Sequence, residues 1–486
     1  MRLEALIRGL DLPLRGNGQV EITHITHDSR KVEPGSLFVA LEGKHFDGHT
    51  YLGRAAQLGA VAVLSGHPER VHMNMPCIVA AQPRRSMAQL ARRLFGAPDT
   101  KLKVIGVTGT NGKTTSCFLL GQMLEQIGLC GRMGTLSYFN GVSEERAHRT
   151  TPESSEIYMT LNEMVKNCCQ FAAIEISSHA MMFDRVFGME LTYGLFTNLS
   201  QDHLDFHGDM ESYFQAKQLM FELLKPGSIA IVNADDAYGK RIRVPEGVIL
   251  KHFGGSANYD LFFDDLTLTA RFSEFSLHYK GEAQSVRLPL LGMHNVYNFM
   301  GAALVALEEG LSLAEVARLA RTLKAVSGRM ETVAGTPSFQ VVVDFAHSPD
   351  ALEKVVSCCK SLTKGRLILV FGAGGDRDKE KRPLMGAVAD KYADVVVLTS
   401  DNPRSEAPES IMDMVARGIN RHSDLIRQAD RYKAIEYALS VAREDDLVLI
   451  AGKGHETHQE IAGEFFPFND REVTLRILRR MEAKDV

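Results

Sequence analysis

The sequence contains the stretch Val104-Ile105-Gly106-Val107-Thr108-Gly109-Thr110-Asn111-Gly112-Lys113-Thr114-Thr115, in which an apolar strand runs into a glycine-rich turn and then a helix. Glycines let backbone N–H groups approach a polyphosphate, and the start of the helix adds a favourable dipole. Lys113 can reach the outer phosphates, and Thr114 can hold Mg²⁺. The stretch therefore predicts a site for a nucleotide triphosphate, formed by residues 109–115.

This turn is a variant of the usual phosphate-binding loop. The strict pattern has glycine five places before Gly112, where this chain has Val107. A glycine-rich turn with an incidental lysine is the alternative. The variant Thr-Gly-Thr-Asn-Gly-Lys-Thr-Thr resembles the loop of the Mur ligases and the folylpolyglutamate synthetases, which are ATP-dependent enzymes that join an amine to a carboxylate.

Length and composition indicate an ordinary multidomain globular protein. A chain of 486 residues is too long for one core and suggests about three domains. Hydrophobic residues make up 45% and charged residues 24% of the chain, as in soluble proteins. The net charge of -5 argues against a broad nucleic-acid surface, although a phosphate cleft needs only local positive charge. We expect no nucleic-acid partner.

The cysteines and the absence of long apolar runs predict the compartment. The seven cysteines form no CxxC pair, and Arg2, Glu4 and Arg8 interrupt the first segment, so that no signal-peptide core forms. No later run is long enough to span a bilayer. We expect a cytoplasmic monomer without membrane insertion, in which the cysteines are small buried residues.

The order of apolar and amphipathic segments predicts an α/β protein of three domains. Residues 1–100 lack phosphate-loop chemistry and are expected to hold a substrate. Residues 101–326 alternate strands with helices, which favours a parallel sheet covered on both faces. Residues 327–486 repeat strand and helix in a Rossmann-like pattern.

Two strands after the phosphate loop carry candidate metal ligands. Glu175 lies within an apolar run, where an ionised carboxylate is costly unless a cation or hydrogen bonds compensate it. Magnesium or a neighbouring basic residue would serve, and this stretch alone does not decide between them. His203 follows the end of the next strand, where α/β enzymes place their ligands.

A lysine lies in the apolar stripe of the next predicted helix. Lys217 is three residues after Phe214 and four before Phe221, with Tyr213 and Leu224 on the same face. Such lysines usually extend to solvent. If Lys217 cannot extend to solvent, its amine must lose its charge, form an ion pair or be chemically converted. Carbamylation would replace the ammonium with a carboxylate able to hold Mg²⁺.

Four strands of the last domain end in polar residues. In a parallel sheet these ends meet at one edge and form a binding site. The four polar segments are Asp344 to Pro349, Gly374 to Asp378, Asp401 to Arg404 and Gly452 to Glu456.

The ordered set of motifs resembles the Mur ligases over nearly the whole chain, and among them the MurE-type tripeptide synthetases. The set is the phosphate loop, Glu-Ile-Ser-Ser-His, Thr-Asn-Leu-Ser-Gln-Asp-His-Leu-Asp, Gly-Gly-Asp-Arg-Asp, Asp-Asn-Pro-Arg and Gly-Lys-Gly-His-Glu. The resemblance implies a UDP-substrate-binding first domain, a central ATPase domain and a third domain that brings the amino acid.

The resemblance also implies roles for individual residues. Ser29 and the loop of His45 would face the UDP end, and the muramoyl-peptide would be held by Thr150, Thr151, Ser177 and Arg185. Mg²⁺ would be surrounded by Thr114, Glu175, His203 and carbamylated Lys217. ATP would also contact Asn298, Arg329 and Asp344, and His347 would lie where phosphate and amino acid meet. The family often has glutamine two residues before the arginine, where this chain has Phe183, which is left out of the site.

The form of the third-domain motif indicates the amino acid. Asp401-Asn402-Pro403-Arg404 resembles the motif of members that add meso-diaminopimelate rather than L-lysine. The distal end of diaminopimelate carries a carboxylate and an ammonium, whereas lysine has only the ammonium. Arg377 and Arg404 can bind the carboxylate and Glu456 can accept from the ammonium, beside Asp401, Asn402 and Gly452.

The implied reaction is ATP-dependent addition of meso-diaminopimelate to UDP-MurNAc-L-Ala-D-Glu through an acyl phosphate, with Lys113 and Mg²⁺ offsetting charge on the transferred phosphoryl group. Three alternatives remain open. These are an L-lysine-adding ligase, a ligase like folylpolyglutamate synthetase, and a non-enzymatic nucleotide-gated binding module.

Overall fold

A computed structural model describes residues 1–43, 46–72, 74–333, 338–420 and 425–483. The chain divides into a first unit, Met1–Phe262 with Tyr297–Ser312, and a second unit, Phe263–Val296 with Leu313–Val486. Within the described ranges, no helix has the length and apolar character needed to cross a membrane.

The first hundred residues of the first unit fold around a five-stranded sheet. Its strands are β1 (Leu14–Arg15), β2 (His24–Thr26), β3 (Ser36–Ala40), β4 (Ala60–Ser65) and β5 (Cys77–Val79), in the order β1-β5-β4-β3-β2. The helices are α1 (Leu3–Ile7), α2 (Leu52–Gln57) and α3 (Pro83–Leu94). Pro83 suits the first turn of α3 because that turn needs no N–H from it, and Met87 and Leu90 bury the inner face.

A second sheet of the first unit is built around the strand before the phosphate loop. Its strands are β6 (Lys103–Thr108), β7 (Cys130–Met133), β8 (Ser137–Phe139), β9 (Glu144–Arg146), β10 (Phe171–Glu175), β11 (Leu191–Phe196), β12 (Leu224–Asn233) and β13 (Ile249–Gly254), in the order β13-β12-β11-β6-β10-β7-β8-β9. Its helices are α4 (Lys113–Leu124), α5 (Ser154–Lys166), α6 (Ser178–Met182), α7 (Leu204–His207) and α8 (Met210–Gln218).

Strand direction in this sheet confirms the predicted parallel core. The strands from β13 to β7 pair in parallel, and every residue of β10 is buried, as expected for a sheet covered on both faces. The antiparallel strands β8 and β9 extend one edge and were not predicted. Because β6 lies between β10 and β11, the loops after all three strands meet at one place.

The helix that contains Lys217 is shorter than the apolar stripe of the sequence, which continues to Leu224. The helix α8 ends at Gln218, a 3-10 turn follows over Leu219–Leu223, and β12 begins at Leu224. The stripe residues are nevertheless buried, because the turn and the start of β12 continue into the same core.

The second unit contains a mixed sheet and two hairpins. After β14 (Leu261–Leu268), which leads into this unit, come the hairpin strands β15 (Ser273–Tyr279) and β16 (Glu282–Leu288). The six-stranded sheet has β17 (Glu331–Val333), β18 (Gln340–Asp344), β19 (Leu367–Phe371), β20 (Val395–Thr399), β21 (Ile426–Gln428) and β22 (Leu447–Ala451), in the order β17-β18-β22-β19-β20-β21. A second hairpin has β23 (His458–Ile461) and β24 (Glu464–Pro467).

The remaining helices are α9 (Met293–Glu308), α10 (Leu313–Ala320), α11 (Pro349–Leu362), α12 (Lys381–Tyr392), α13 (Pro408–Ala416), α14 (Arg431–Val441) and α15 (Asp470–Glu482). The four strands predicted to end in polar residues are β18, β19, β20 and β22, which are parallel neighbours. Their carboxyl ends therefore meet at one edge, as predicted.

All seven cysteines are free thiols. The interpretation as small buried residues holds for Cys77, Cys117, Cys130, Cys169 and Cys359. It is wrong for Cys168, which is exposed because it lies in the turn between α5 and β10, and Cys358 is only partly buried.

Candidate active site

The phosphate loop joins the central strand β6 to α4 and is shaped by two glycines. Gly109 and Gly112 have φ of +150° and +86°. A Cβ on Gly109 would lie 1.9 Å from Thr197 Oγ1, and one on Gly112 would lie 2.2 Å from Asn298 Oδ1. Only glycine is compatible with both positions, and Asn298 is placed directly against the loop. The helix α4 begins at Lys113, directly after Gly112, so the positive end of its dipole lies at the loop and favours an anion there.

The departure from the strict loop pattern has a structural reason. Val107 is a buried strand residue that pairs with Glu175 on one side and Leu195 on the other. Gly106 is also within the strand, where a Cβ would lie 2.8 Å from Leu191 Cδ1. The loop therefore begins only after Thr108.

Residues after β11 hold the loop in place. Thr110 N donates to Asn198 O at 2.9 Å, and Asn111 O accepts from Thr197 Oγ1 at 2.7 Å and from Asn198 Nδ2 at 3.0 Å. Thr197 and Asn198 open the Thr-Asn-Leu-Ser-Gln-Asp-His-Leu-Asp motif but were given no role in the predicted site. Their place at the end of an apolar strand, next to the segment that contains His203, was a further signal.

Two lysines meet at one carbonyl group of the loop. Lys113 Nζ and Lys217 Nζ each donate to Gly109 O at 2.8 Å. Lys217 does not extend to solvent, since it is 1% exposed and its Nζ lies 4.4 Å from the centroid of the Tyr213 ring. Burial, and then the charge of Lys113, lower the pKa of Lys217 well below its usual value. A neutral amine is the form that reacts with CO₂ to give a carbamate.

Neutral donors surround the carboxylate of Glu175, which is 1% exposed. Thr114 Oγ1 donates to Glu175 Oε2 at 3.0 Å. Thr135 donates twice, from N to Oε1 and from Oγ1 to Oε2, both at 2.9 Å. Thr135 was missed by the sequence analysis because it lies 40 residues from Glu175 and belongs to no recognised motif.

The surroundings of Glu175 are compatible with Mg²⁺. In the described part of the chain no lysine, arginine or histidine forms an ion pair with this carboxylate, which rules out the basic-residue alternative there. A buried carboxylate without a cationic partner, next to a threonine hydroxyl and a phosphate loop, offers the oxygen ligands that Mg²⁺ prefers.

His203 lies in an aromatic cluster beside the loop. Its ring is 5.0 Å from His179 and 6.2 Å from Tyr213, between ring centroids, and Tyr213 Oη lies 3.3 Å from Thr110 Oγ1. The imidazole makes no hydrogen bond to Thr114 or Glu175 in the residues described here. The structure therefore places His203 near the loop but does not itself assign it as a metal ligand.

The residues predicted to hold the muramoyl-peptide gather beyond the carboxyl end of β10. Thr151 Oγ1 donates to Glu175 O at 2.7 Å and to Ser177 Oγ at 3.4 Å. Arg185 Nη1 donates to Thr151 O at 3.0 Å. Thr150 Oγ1 lies 3.2 Å from Thr135 Oγ1, so the four predicted residues form one surface next to the phosphate loop.

The predicted UDP contacts lie in the first sheet. Ser29 is buried and opens a 3-10 turn, Ser29–Lys31, that Asp28 caps through Arg30 N at 2.9 Å. Hydrogen bonds from Arg30 lower the pKa of Asp28 to about 2, so both side chains serve the turn. His45 lies outside the described residues.

In the second unit, three predicted residues gather around Phe345. The buried carboxylate of Asp344 accepts from Met330 N at 2.7 Å and from Ala346 N at 2.8 Å. Burial raises the pKa of Asp344 although these N–H groups oppose the rise. The Arg329 guanidinium lies 5.3 Å and the His347 ring 4.6 Å from the centroid of the Phe345 ring.

The predicted amino-acid-binding loop, residues 401–404, is organised by a buried lysine. Lys453 Nζ donates to Asn402 Oδ1 at 3.0 Å and to Glu456 Oε2 at 2.8 Å, and Asn402 Nδ2 donates to the same Glu456 oxygen at 2.8 Å. Burial would raise the pKa of Glu456, but Lys453 and Asn402 outweigh it and lower the pKa. Lys453 was not predicted as a site residue.

Arg404 is held in a left-handed conformation with φ 52°. Its guanidinium donates from Nε to Glu460 Oε2 at 3.0 Å and from Nη1 to Gly375 O at 2.7 Å. At Gly452 a Cβ would lie 2.4 Å from Asp401 Oδ2, and that buried oxygen has no hydrogen-bond partner among the described residues. Arg377 is exposed.

A buried ion pair stabilises the second unit at the carboxyl ends of β20 and β22. The side chains of Arg431 and Asp470 are 0% exposed and form two hydrogen bonds of 2.7 Å. Arg431 also donates to Ser400 O at 3.2 Å and to Ala451 O at 3.0 Å, which ties the ends of β20 and β22 together. The two residues are far apart in sequence, and no motif marked them.

Three family models match the chain. They are described as "Mur ligase family, catalytic domain" over residues 21–94, "Mur ligase middle domain" over 107–306 and "Mur ligase, glutamate ligase domain" over 328–454.

Curated relatives match over nearly the full length. The chain is 39% identical over 485 residues to UDP-N-acetylmuramoyl-L-alanyl-D-glutamate--2,6-diaminopimelate ligase 1 of Clostridium acetobutylicum, covering 99% of this chain and 100% of that protein. It is 41% identical over 458 residues to the ligase of the same name, without the numeral, from Aquifex aeolicus, covering 93% of both.

Solved structures share the fold. A UDP-N-acetylmuramoyl-L-alanyl-D-glutamate--2,6-diaminopimelate ligase superposes with a TM-score of 0.72 at 31% identity, covering 99% of each chain. A UDP-N-acetylmuramoylalanyl-D-glutamyl-2,6-diaminopimelate--D-alanyl-D-alanyl ligase from Acinetobacter baumannii has a TM-score of 0.66 at 20% identity, covering 99% of this chain and 98% of that chain, and supports the fold alone.

Proposed function

Because the chain belongs to the Mur ligase family, we propose that it adds meso-2,6-diaminopimelate to UDP-MurNAc-L-Ala-D-Glu with ATP, giving the UDP-MurNAc-tripeptide, ADP and phosphate. It is an ATP-dependent ligase of the peptide-synthase type. The relatives named for this reaction are 37% to 41% identical to it. The reaction supplies a precursor of peptidoglycan.

One observation of the second unit carries the choice of amino acid. Arg404 and Glu456 belong to a single hydrogen-bonded set, in which Glu460 and Asn402 connect them: Glu460 accepts from Arg404, Glu460 N donates to Asn402 Oδ1 at 3.0 Å, and Asn402 donates to Glu456. A guanidinium and a carboxylate fixed together match the carboxylate and the ammonium at the distal end of diaminopimelate. Lysine has no distal carboxylate to accept from the donors of the Arg404 guanidinium that Glu460 and Gly375 do not use.

The first step takes place on the carboxylate of the D-glutamyl side chain. An oxygen of this carboxylate attacks the γ-phosphorus of ATP, the bond to the β-phosphate oxygen breaks, and ADP leaves with that electron pair. Gly109 to Thr115 supply N–H groups to the phosphates, and Lys113 offsets charge on the transferred group. Thr150, Thr151, Ser177 and Arg185 hold the muramoyl-peptide so that its carboxylate meets the phosphate in line.

Magnesium belongs to the same proposal. Thr114 and Glu175 would hold the ion, with His203 and carbamylated Lys217 assigned as further ligands. Bound there, Mg²⁺ supplies positive charge that stabilises the phosphates during transfer. Asn298, Arg329 and Asp344 are assigned to ATP.

The second step forms the peptide bond. The amine of diaminopimelate attacks the acyl carbon, phosphate leaves, and the nitrogen loses a proton. The amino acid would be held by Arg377, Asp401, Asn402, Arg404, Gly452 and Glu456, with His347 near the reacting groups. Ser29 and His45 are assigned to the UDP end.

The domain boundaries 1–100, 101–326 and 327–486 remain part of the proposal. They are supported by the separate sheets and by the three matched segments. We also propose that the protein is cytoplasmic, which the free thiols support. We propose that it is a monomer, which chromatography on a sizing column would test.

A substrate panel tests the function. Phosphate release is measured with ATP, UDP-MurNAc-L-Ala-D-Glu and either meso-diaminopimelate or L-lysine. We expect release with diaminopimelate and at least about 10⁴-fold lower kcat/KM with lysine, since unpaired buried donors would remain. Equal use of both amino acids would contradict the choice of substrate, and activity only with folate and glutamate would contradict the function.

A further inference from the structure

Three arginines of the first unit converge on one buried carboxylate. Glu153 is 1% exposed, and its Oε1 accepts from Arg149 Nη1 at 2.6 Å and from Arg185 Nε at 3.1 Å. Its Oε2 accepts from Arg84 Nη1 at 2.6 Å. Arg84 lies at the start of α3, in the first hundred residues, and is far in sequence from Arg149 and Arg185.

This cluster carries more positive than negative charge. Three guanidiniums surround a single carboxylate, which leaves an excess of two positive charges. A further carboxylate next to Glu153, that of Glu156, is already paired with Lys31 at 2.7 Å and with His148 at 3.3 Å. Such an excess of positive charge among partly buried guanidiniums is unfavourable unless an anionic ligand offsets it.

Arg84 has donors to offer such an anion. Of the five N–H donors of a guanidinium, Arg84 uses one for Glu153, and the described residues provide no hydrogen-bond acceptor for the others. Its side chain is 27% exposed. A ligand can therefore reach it.

Phe183 fixes the arrangement. The guanidinium carbons of Arg84 and Arg185 lie 5.4 Å and 5.7 Å from the centroid of its ring. The ring supports both guanidiniums and offers no hydrogen bond of its own. Phe183 thus places Arg84 beside Arg185, which itself donates to Thr151 O at 3.0 Å.

We propose that Arg84 is a further substrate-binding residue, which binds the carboxylate of the D-glutamyl residue that is not converted to the acyl phosphate. The inference rests on the proposed function. That residue carries two carboxylates, and the one that remains ionised needs charge-assisted hydrogen bonds when it is removed from water. The pyrophosphate of UDP is the other source of anionic oxygens, and the test separates the two.

The first experiment compares neighbouring arginines of α3 by calorimetric titration with UDP-MurNAc-L-Ala-D-Glu, without amino acid. Arg84→Ala should raise Kd by about 10- to 100-fold, because one charge-assisted pair is lost. Arg85→Ala is the matched control, since Arg85 pairs with Asp184 at 3.0 Å and contacts Phe187 instead, and it should change Kd by less than about twofold. An unchanged Kd in Arg84→Ala overturns the proposal.

The second experiment changes the ligand. An analogue with an amide in place of the free D-glutamyl carboxylate should bind the unaltered protein about 10-fold more weakly, and Arg84→Ala should weaken it little further. UDP-MurNAc-L-Ala, which lacks the D-glutamyl residue, should bind both proteins alike. If Arg84→Ala weakens all three ligands equally, the arginine is structural or contacts the pyrophosphate, and the proposal is wrong.

These outcomes are distinguishable from failure of the proposed function. A chain that releases no phosphate with all three substrates would contradict the function itself. A chain that is active, but in which Arg84 and Arg85 substitutions behave alike, would overturn only this inference. Glu153 keeps two guanidiniums in Arg84→Ala, so we expect the variant to fold, and the amide analogue tests the unaltered protein in any case.

Discussion

The phosphate loop of the first unit and the 401–404 loop of the second unit are built on different principles. The phosphate loop is mainly backbone: it has two glycines with positive φ, the N-terminus of a helix and one carbonyl group that accepts hydrogen bonds from two lysines. The 401–404 loop is a set of side chains that hold one another, through Lys453, Glu456 and Glu460. A backbone site binds what all nucleotide triphosphates share, whereas a side-chain site can distinguish one amino acid from another.

The largest effect is expected when the charged side chain of the phosphate loop, Lys113, is removed. Lys113→Ala should lower kcat by about 10²- to 10³-fold with either amino acid, because Lys113 offsets charge in the transition state. The measurement is phosphate release with saturating substrates. Lys101→Ala, an exposed lysine of the same unit, is the control and should retain full activity. A Lys113 variant that loses activity only with diaminopimelate would contradict the assignment of ATP binding to the phosphate loop and of amino-acid selection to the 401–404 loop.

The 401–404 loop should respond in the opposite way. Arg404→Ala should lower kcat/KM for diaminopimelate by about 100-fold and leave the Kd of ATP unchanged, because a charge-assisted pair with the amino acid is lost. The preference over lysine should fall by the same factor. Arg427→Ala, which removes an exposed pair with Asp413, is the matched control of the second unit. Unchanged discrimination in Arg404→Ala would remove the reason for choosing diaminopimelate.

A smaller effect tests whether the side-chain set works as a unit. Lys453→Met keeps the volume of a fully buried side chain and removes its three hydrogen bonds, so KM for diaminopimelate should rise by about 10-fold. Without the ammonium, the pKa of Glu456 should rise, because Lys453 no longer opposes burial while Asn402 and His458 still do. Diaminopimelate binding should consequently be lost at a higher pH as the solution is acidified.

The control for this prediction is Lys364→Ala, which alters an exposed lysine of the same unit. It should leave both KM and the pH profile unchanged. A Lys453→Met protein that is less stable but has the same acid limb as the unaltered protein would show that Lys453 supports the fold and does not set the charge of Glu456.

The difference between the two loops also explains what the sequence could predict. Gly109 to Thr115 are contiguous, so their chemistry is visible as a motif. The strand ends of the second unit were predictable because parallel topology brings them together, and this placed Asp344, Asn402 and Glu456 correctly at one edge.

Residues that act through distant partners could not be predicted. Thr135 reaches Glu175 across 40 residues, Lys453 reaches Asn402 across 51, and Arg84 reaches Glu153 across 69. No local pattern encodes such contacts. The end of α8 was missed for a related reason, since the core accepts Phe221 and Leu224 from a turn and a strand as well as from a helix.

Lys217 gives the smallest expected effect, a dependence of stability on pH. An unfolded lysine has a pKa near 10.5, whereas the pKa of the folded amine is lowered, so at a pH between the two values the unfolded lysine still binds its proton and the folded amine has released it. The unfolded state therefore binds more protons, and stability rises with pH between the lowered pKa and 10.5, by at most about 1.4 kcal/mol per pH unit. Urea unfolding of the protein in bicarbonate-free buffer should show this rise.

The comparison with Lys217→Met isolates the contribution of this amine. The variant has no group to titrate there, so the difference in free energy of unfolding between the two proteins should change with pH, and the exposed control Lys225→Met should show no such change. Bicarbonate should stabilise the unaltered protein and leave Lys217→Met unchanged, since the carbamate forms on the neutral amine of the folded state. Parallel curves for Lys217→Met and the unaltered protein would mean that the buried amine keeps its charge beside Lys113, and carbamylation would lose its chemical basis.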